Sequence, residues 1–428
     1  MKTVIRDAWI VTQNARREIL RGDILIEDGI IKQLGTVDCC ADEEINAHGD
    51  IVIPGLINTH THVSMSIMRG IADDMTFEEF LSKVFEIDSR RTSEDIYLGT
   101  KLGCLEMIRS GTTTFVDLYY SEDVIAKAVQ EMGLRAVLCW AVLDEEFTTQ
   151  KGRPMDNCRH FYESFRSISS RITPGVGLQG VYVCSENTFT EAGEFARENE
   201  LLLHFHLSET RKEVNDHKKK TGMRPAEFLE SIHFFDSRCL AAHCCWLTRN
   251  EIKILARHGV SVSTCPVSNM KLATGGVAPV PEMIAERVNV SIGTDSATTN
   301  NSLDMFGEMK VLSLLQKSSR WDPAILKAQQ ILDCATINAA RAIGLGDKIG
   351  SIEPGKSADI VIIDGAAPNL QPVRLSTLIP NLIYSSSPAN VKTLICDGHI
   401  LMKDFVINVA DEAHITEQAS YVAEKLLG

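Results

Sequence analysis

Apolar residues follow different rhythms in different parts of this chain, and each rhythm predicts its own kind of element. Residues 1–53 alternate apolar and polar positions in short runs, TVIRDAWIVT, DILIEDGIIKQLG and DIVIP, the pattern of strands with one buried face. Asp28-Gly29 between two such runs signals a hairpin turn. The same texture returns in ADIVIIDG and in VKTLICDGHI, where Asp397-Gly398 is a second hairpin signal. β-rich segments at both ends predict one small β-sandwich-like domain built from 1–53 and 348–405.

The middle of the chain alternates apolar runs with amphipathic helical patterns. Four runs come first: GLINTHTH (55–62), TTTFVDLYY (112–120), RAVLCWAVL (135–143) and VGLQGVYV (176–183). Four more follow: LLLHFHLSE (201–209), CLAAHCCWL (239–247), VSVSTCPVSN (260–269) and VNVSIGTDS (288–296). Between them lie helices such as SEDIYLGTKLGCLEMIRSG, which Gly111 terminates. Eight strand-then-helix units predict an α/β chain with a (β/α)8 TIM-type barrel over 54–347, its chemistry at the C-terminal strand ends. A doubly wound open sheet would call for Gly-x-Gly-x-x-Gly after its first strand, and none is present. EAHITEQASYVAEKLLG predicts a closing helix within 406–428.

Composition narrows the partners. Lys and Arg total 43 against 57 Asp and Glu, a formal net charge of −14 that repels phosphate backbones, so no nucleic acid is expected. The opening MKTVIRDAWIVTQ is too short and polar for a signal peptide, and no apolar run approaches the roughly 20 residues that span a bilayer. A cytoplasmic protein with no membrane partner is expected, and a homo-oligomer stays open. None of the 12 cysteines forms a Cys-x-x-Cys pair, and several lie in apolar runs (Cys139, Cys184, Cys239, Cys265). Reduced core thiols are therefore expected, not disulfides or a zinc cluster.

The histidines carry the chemistry. Residues i and i+2 of a strand share a face, so His60 and His62 can aim two imidazoles into the barrel mouth. A lone His-x-His is more often bland than ligating; here further partners stand at later strand ends. His204 and His206 repeat the spacing on the fifth strand. His206 lies nearer the mouth and is the ligand candidate, with His204 deeper in the core. Glu209 follows where the strand has ended and is a general acid/base candidate. His243 sits in the apolar context AAHCCW, where a neutral imidazole could bond a metal's water or be purely structural. Asp295, in Gly-Thr-Asp-Ser, is costly at the end of an apolar strand unless paired or metal-bound. No Lys or Glu lies between Val176 and Val183, so the anionic bridge of a two-metal site is missing. One divalent metal per subunit is expected, Zn²⁺ by its imidazole and carboxylate donors, with Fe²⁺ the alternative.

These residues lie in motifs that resemble one family. PGLINTHTH, HLSE (206–209), AHC (242–244), SNMKL (268–272) and GTDS (293–296) resemble the amidohydrolase superfamily, in its methylthioadenosine/S-adenosylhomocysteine deaminase and chlorohydrolase branch. MRGIADD (68–74), NNSLDMFGEM (300–309) and EPGKSADIV (353–361) extend the likeness along nearly the whole chain. The resemblance implies His60, His62, His206 and Asp295 as metal ligands, with Glu209 and His243 as catalytic groups beside Asp295. It further implies that hydroxide generated at the metal attacks the amine-bearing carbon of a small heteroaromatic substrate. Asp295 and His243 would position and deprotonate the water, Glu209 would protonate the ring nitrogen, and ammonia would leave.

The same resemblance outlines a substrate pocket. Phe80 stands where relatives carry a Trp, Asp88 where a Glu grips the ribose diol, and Gln179 where a His contacts the nucleoside. Trp140 replaces an Arg of some relatives, while Arg153 is kept. Loss of one cation disfavours a homocysteine carboxylate, so a purine nucleoside with an uncharged 5′ group, such as methylthioadenosine or 5′-deoxyadenosine, is the first expectation, ahead of S-adenosylhomocysteine or adenosine. The alternatives are a deaminase of a pterin, guanine-like or other azine base, a triazine chlorohydrolase, or an inactive binding or scaffold protein.

Overall fold

The computed structural model describes residues 1–427 and places the eight central strands in one parallel sheet that curls into a barrel. In chain order they are Leu56–Thr61, Thr112–Tyr119, Arg135–Val142, Ile172–Leu178, Leu203–Leu207, Cys239–His243, Ser261–Thr264 and Val290–Ile292. Each pairs in parallel with the next. The seam between the eighth strand and the first is closed by particular residues. Asn58 donates from Nδ2 to Thr294 Oγ1 at 2.7 Å and accepts from the Thr294 amide at 3.0 Å. Thr59 Oγ1 donates to the Ile292 carbonyl at 3.0 Å, and the Asp295 amide to the His60 carbonyl at 2.9 Å. Gly293 is required at this seam, because a Cβ there would lie 2.6 Å from His60 Cβ.

The fourth strand differs from its predicted position. It runs Ile172–Leu178, against the expected 176–183, with Pro174 and Gly175 inside it and Val181–Val183 in the turn beyond. Pro is unusual within a strand, which masks the start of this one to pattern reading. The revised strand, ITPGVGL, still contains no Lys or Glu.

Both chain ends contribute to a second, nine-stranded sheet. Its halves meet where Ile51–Pro54 pairs antiparallel with Ile360–Ile363. The two expected hairpins form, with left-handed Asp28 and Gly29 at φ 49° and 79° and Asp397 and Gly398 at 51° and 78°. They touch each other: a Cβ on Gly398 would come within 2.2 Å of Gly29 Cα. Arg135, at the start of the third barrel strand, bridges Asp359 at 3.2 Å and Asp397 at 3.1 Å and so ties the barrel to this sheet. The closing helix runs Glu412–Leu427, after the short strand Val406–Ile407. Among the described residues no helix is long and apolar enough to cross a membrane. All 12 cysteines are free.

Helices begin at Thr-x-x-acid signals: Thr92 with Asp95, Thr210 with Glu213, and Thr248 with Glu251 each close a capping box. Inside the barrel, away from the mouth, Ile57, Val116, Val137, Cys139 and Leu240 pack with Ala339, Ala340 and Ala342 around the helix Ile337–Ala342. Between this apolar floor and the mouth, the Thr59 hydroxyl bonds those of Ser263 and Ser291.

Candidate active site

Three imidazoles at the mouth each engage Nδ1, while Nε2 of His62 is paired with Asp295 and Nε2 of His60 has no partner. His60, inside the first strand, pairs Nδ1 with His204 Nε2 at 2.7 Å. His62, one residue past that strand, pairs Nδ1 with the Leu118 carbonyl at 2.5 Å, and His206 pairs Nδ1 with the Gln179 carbonyl at 2.9 Å. The ligand atoms of His60, His62 and His206 all lie within 4.8 Å of one another. Those of His60, His243 and Asp295 form a second such group. Asp295 Oδ1 lies 3.6 Å from His60 Nε2 and 3.4 Å from His62 Nε2.

Chemically this set fits a cation. Burial, reinforced by the surrounding imidazoles, holds His60 and His206 well below the usual histidine range, so both present neutral lone pairs. His60 Nε2 is buried with no hydrogen-bond partner, an expensive state for a polar atom unless something binds it. Neutral imidazoles whose other nitrogen is hydrogen-bonded, together with one carboxylate, are the donors a divalent metal takes.

Around these donors stand the groups that can move protons. Asp295 follows the eighth strand; Ser268 Oγ donates to its Oδ2 at 2.6 Å and the Ser296 amide to its Oδ1 at 2.7 Å. Glu209 Oε2 lies 3.9 Å from His243 Nε2. Burial, with the charge of Asp295 second, pushes Glu209 up to about 8. Burial likewise holds His243 below its ordinary value. The side-chain amide of Asn269 pairs with His243 Nδ1 at 3.1 Å and fixes the plane of the ring. Ser208, His243, Cys244 and Asp295 all adopt left-handed backbone angles (φ 49°, 68°, 54° and 64°). Strained non-glycine residues clustered at strand ends are a mark of a functional mouth.

A cavity of about 430 Å³ opens from this cluster, within the range of small-molecule sites. His62, His206, Glu209, His243 and Asp295 all reach it. Of the pocket residues expected from sequence, Phe80, Asp88 and Gln179 line it. Phe80 stands on the helix Phe77–Asp88 with Leu81, Val84 and Phe85, which also line the cavity.

Two expected pocket residues are not brought there. Strand alternation turns Cys139 and Ala141 toward the barrel interior, so Trp140 faces outward against Phe161, ring centroids 5.7 Å apart. Its indole N–H donates to Gln150 at 2.8 Å, and Gln150, not Trp140, lines the cavity. Arg153 is half exposed and lies among Glu145, Asp156 and Glu191 at 3.6, 3.4 and 3.2 Å.

Asp88 lines the cavity, as expected, but its carboxylate is already engaged. It accepts from Arg91 at 2.9 Å and from the hydroxyls of Tyr119 and Tyr120. Sequence reading missed these three residues, although Tyr119 ends the second strand and Tyr120 follows it, where the barrel rule places functional groups. Ser268 and Asn269 were also missed as site residues, despite their place in the SNMKL motif.

A TIM-type barrel whose mouth gathers three imidazoles, a carboxylate and a buried glutamic acid defines a metal-dependent hydrolase. The amidohydrolase family model matches residues 51–401, and the chain belongs to that family. It is 42% identical to a 5′-deoxyadenosine deaminase of Methanothermobacter thermautotrophicus over 96% of each chain. It is 39% identical to a 5-methylthioadenosine/S-adenosylhomocysteine deaminase of Desulforudis audaxviator, over 100% of this chain and 99% of that one. Among solved structures, a zinc-bound adenosine deaminase of Xanthomonas campestris superposes with a TM-score of 0.95 at 29% identity, covering 99% of this chain and 98% of that one.

Proposed function

We propose that this enzyme hydrolytically deaminates adenosine-type nucleosides, releasing ammonia and leaving the inosine-type product. The observation that carries the reading is the convergence of His60, His62, His206 and Asp295 at a cavity shared with Glu209, whose burial favours its protonated form. The names of the relatives at 42% and 39% identity support the same reaction. His60, His62, His206 and Asp295 would hold one Zn²⁺ per chain. When bound, the metal supplies the Lewis acidity that makes water nucleophilic near neutral pH.

The side chains divide the remaining work. Asp295, oriented by Ser268 and the Ser296 amide, takes the proton of the attacking water. His243, held by Asn269 and 3.9 Å from Glu209, positions the attacking oxygen by hydrogen bonding. Glu209 donates its proton to the ring nitrogen beside the amine-bearing carbon as that carbon becomes tetrahedral. Asp295 then passes the water's proton to the amine, which leaves as ammonia, and the hydroxyl proton returns to Glu209 as the carbonyl forms.

The cavity lining favours nucleosides without an anionic tail. Among the described residues no Lys or Arg lines it, whereas Asp88 and Glu146 do. 5′-Deoxyadenosine and methylthioadenosine are therefore the preferred substrates, ahead of S-adenosylhomocysteine, whose carboxylate would meet no cation. A cytoplasmic location accords with 12 free cysteines. Ammonia release from a panel of adenosine, 5′-deoxyadenosine, methylthioadenosine, S-adenosylhomocysteine, guanine and a pterin tests the assignment. Turnover of a base or pterin but of no adenosine would overturn the substrate class.

A further inference from the structure

Glu213 lies outside every motif residue assigned a role, yet its carboxylate holds the turn that carries Glu209. An ordinary capping box uses the third helical side chain to accept from the N–H of the capping residue. Here the helix is Arg211–Thr221 and the cap is Thr210, and the bond from the Thr210 N–H to Glu213 is long, 3.5 Å. The shorter bonds go further back. Glu213 Oε1 accepts from the Ser208 N–H at 3.0 Å, and Oε2 from the Glu209 N–H at 2.8 Å. Both oxygens of a side chain only 9% exposed are thus committed to successive amides of the strand-to-helix turn.

That turn needs an anchor. Ser208 sits at φ 49°, in the left-handed region that disfavours a residue with a Cβ. Its carbonyl accepts from the Trp246 amide at 3.0 Å, and its amide is taken by Glu213, so the strained residue is fixed on both sides. A glutamine could not reproduce the second of these holds, because its NH₂ group would face one of the two backbone N–H donors.

We propose that Glu213 is a positioning residue for the reaction: its two-oxygen grip on the Ser208 and Glu209 amides sets the direction in which the Glu209 carboxyl enters the cavity. The inference rests on the proposed role of Glu209 as proton donor. Misplacing a proton donor by about an ångström costs on the order of 10²-fold in rate, whereas loss of a helix cap alone costs stability.

Glu213→Gln, Thr210→Ala and Glu209→Gln, each made in the full chain and loaded with Zn²⁺, separate these effects. Thr210→Ala removes the ordinary cap and should lower Tm while leaving kcat within about twofold of the parent. Glu213→Gln should lower kcat on the order of 10²-fold with KM within about threefold and the bound zinc unchanged. If Glu213→Gln does not fold, Glu213→Asp replaces it under the same criterion, since it keeps the charge but is too short to reach both amides. A Glu213 variant with kcat within about twofold of the parent overturns the proposal. So does a kcat loss that Thr210→Ala matches at equal loss of Tm. Full activity in Glu209→Gln overturns instead the reading on which the proposal rests.

Discussion

His60 Nδ1 lies 2.7 Å from His204 Nε2, and His204 directs its own Nδ1 to the Leu240 carbonyl at 2.9 Å. The direction of this chain is fixed by chemistry. A carbonyl only accepts, so the proton of His204 is on Nδ1, its Nε2 accepts from His60, and His60 Nε2 presents a lone pair to the site. Burial pushes His204 down to about 3, so it stays neutral and keeps this polarity. His204→Ala should therefore weaken zinc binding by about 10- to 100-fold, measured by chelator competition. An unchanged affinity would reduce the contact to packing.

Glu209 must hold a proton to donate one. With burial and the charge of Asp295 pushing it up to about 8, kcat should be level below that pH and fall about tenfold per unit above it. Glu209→Gln should lower kcat by about 10²- to 10⁴-fold and abolish that alkaline limb. A limb that persists in the variant's residual activity would belong to another group.

The same carboxyl links stability to pH. The ordinary value for Glu209 is 4.5 and its folded value about 8, so the folded protein binds the extra proton between them. The stabilising contribution is complete below about 4.5 and is lost as pH rises through 8. Glu213, pushed up to about 7 by burial and by the charge of Glu209, acts in the same direction. Tm should fall between pH 6 and pH 9, and Glu209→Gln, which has nothing to ionise, should fall less. Parallel falls in parent and variant would rule Glu209 out as a source.

Arg153 and Asp88 should behave in opposite ways. The ion pairs of Arg153 lie among exposed side chains, so Arg153→Ala should leave kcat/KM for 5′-deoxyadenosine within about twofold. Asp88→Ala strands the fully buried Arg91 without its carboxylate. Removing one partner of such a pair costs about 3–5 kcal/mol, which denaturant unfolding would detect. A silent Asp88→Ala would mean that the Tyr119 hydroxyl and the Ser64 carbonyl suffice to hold Arg91.

How far the sequence spoke depends on which interaction each residue makes. His60, His62, His206, Glu209, His243 and Asp295 were legible because strand periodicity and strand ends alone put them at one mouth. The barrel was legible from its eight apolar runs, except at Pro174 and Gly175, where the fourth strand breaks the pattern. Trp140 illustrates the opposite case: a one-residue step along a strand reverses its face, and nothing local distinguishes Trp140 outward from Ala141 inward. Arg91, Asn269 and Glu213 were invisible because their roles consist of contacts to partners on other elements or to backbone amides. The Gly29–Gly398 meeting of the two hairpins is likewise a relation between distant segments that neither turn sequence announces.

The most direct measurement is ammonia release from 5′-deoxyadenosine and methylthioadenosine by protein stripped of metal and then titrated with Zn²⁺. Activity should be absent in the stripped protein and return in proportion to zinc, saturating at one ion per chain. Undiminished release by the metal-free protein, or saturation at two ions, would contradict a single-metal deaminase centred on His60, His62, His206 and Asp295.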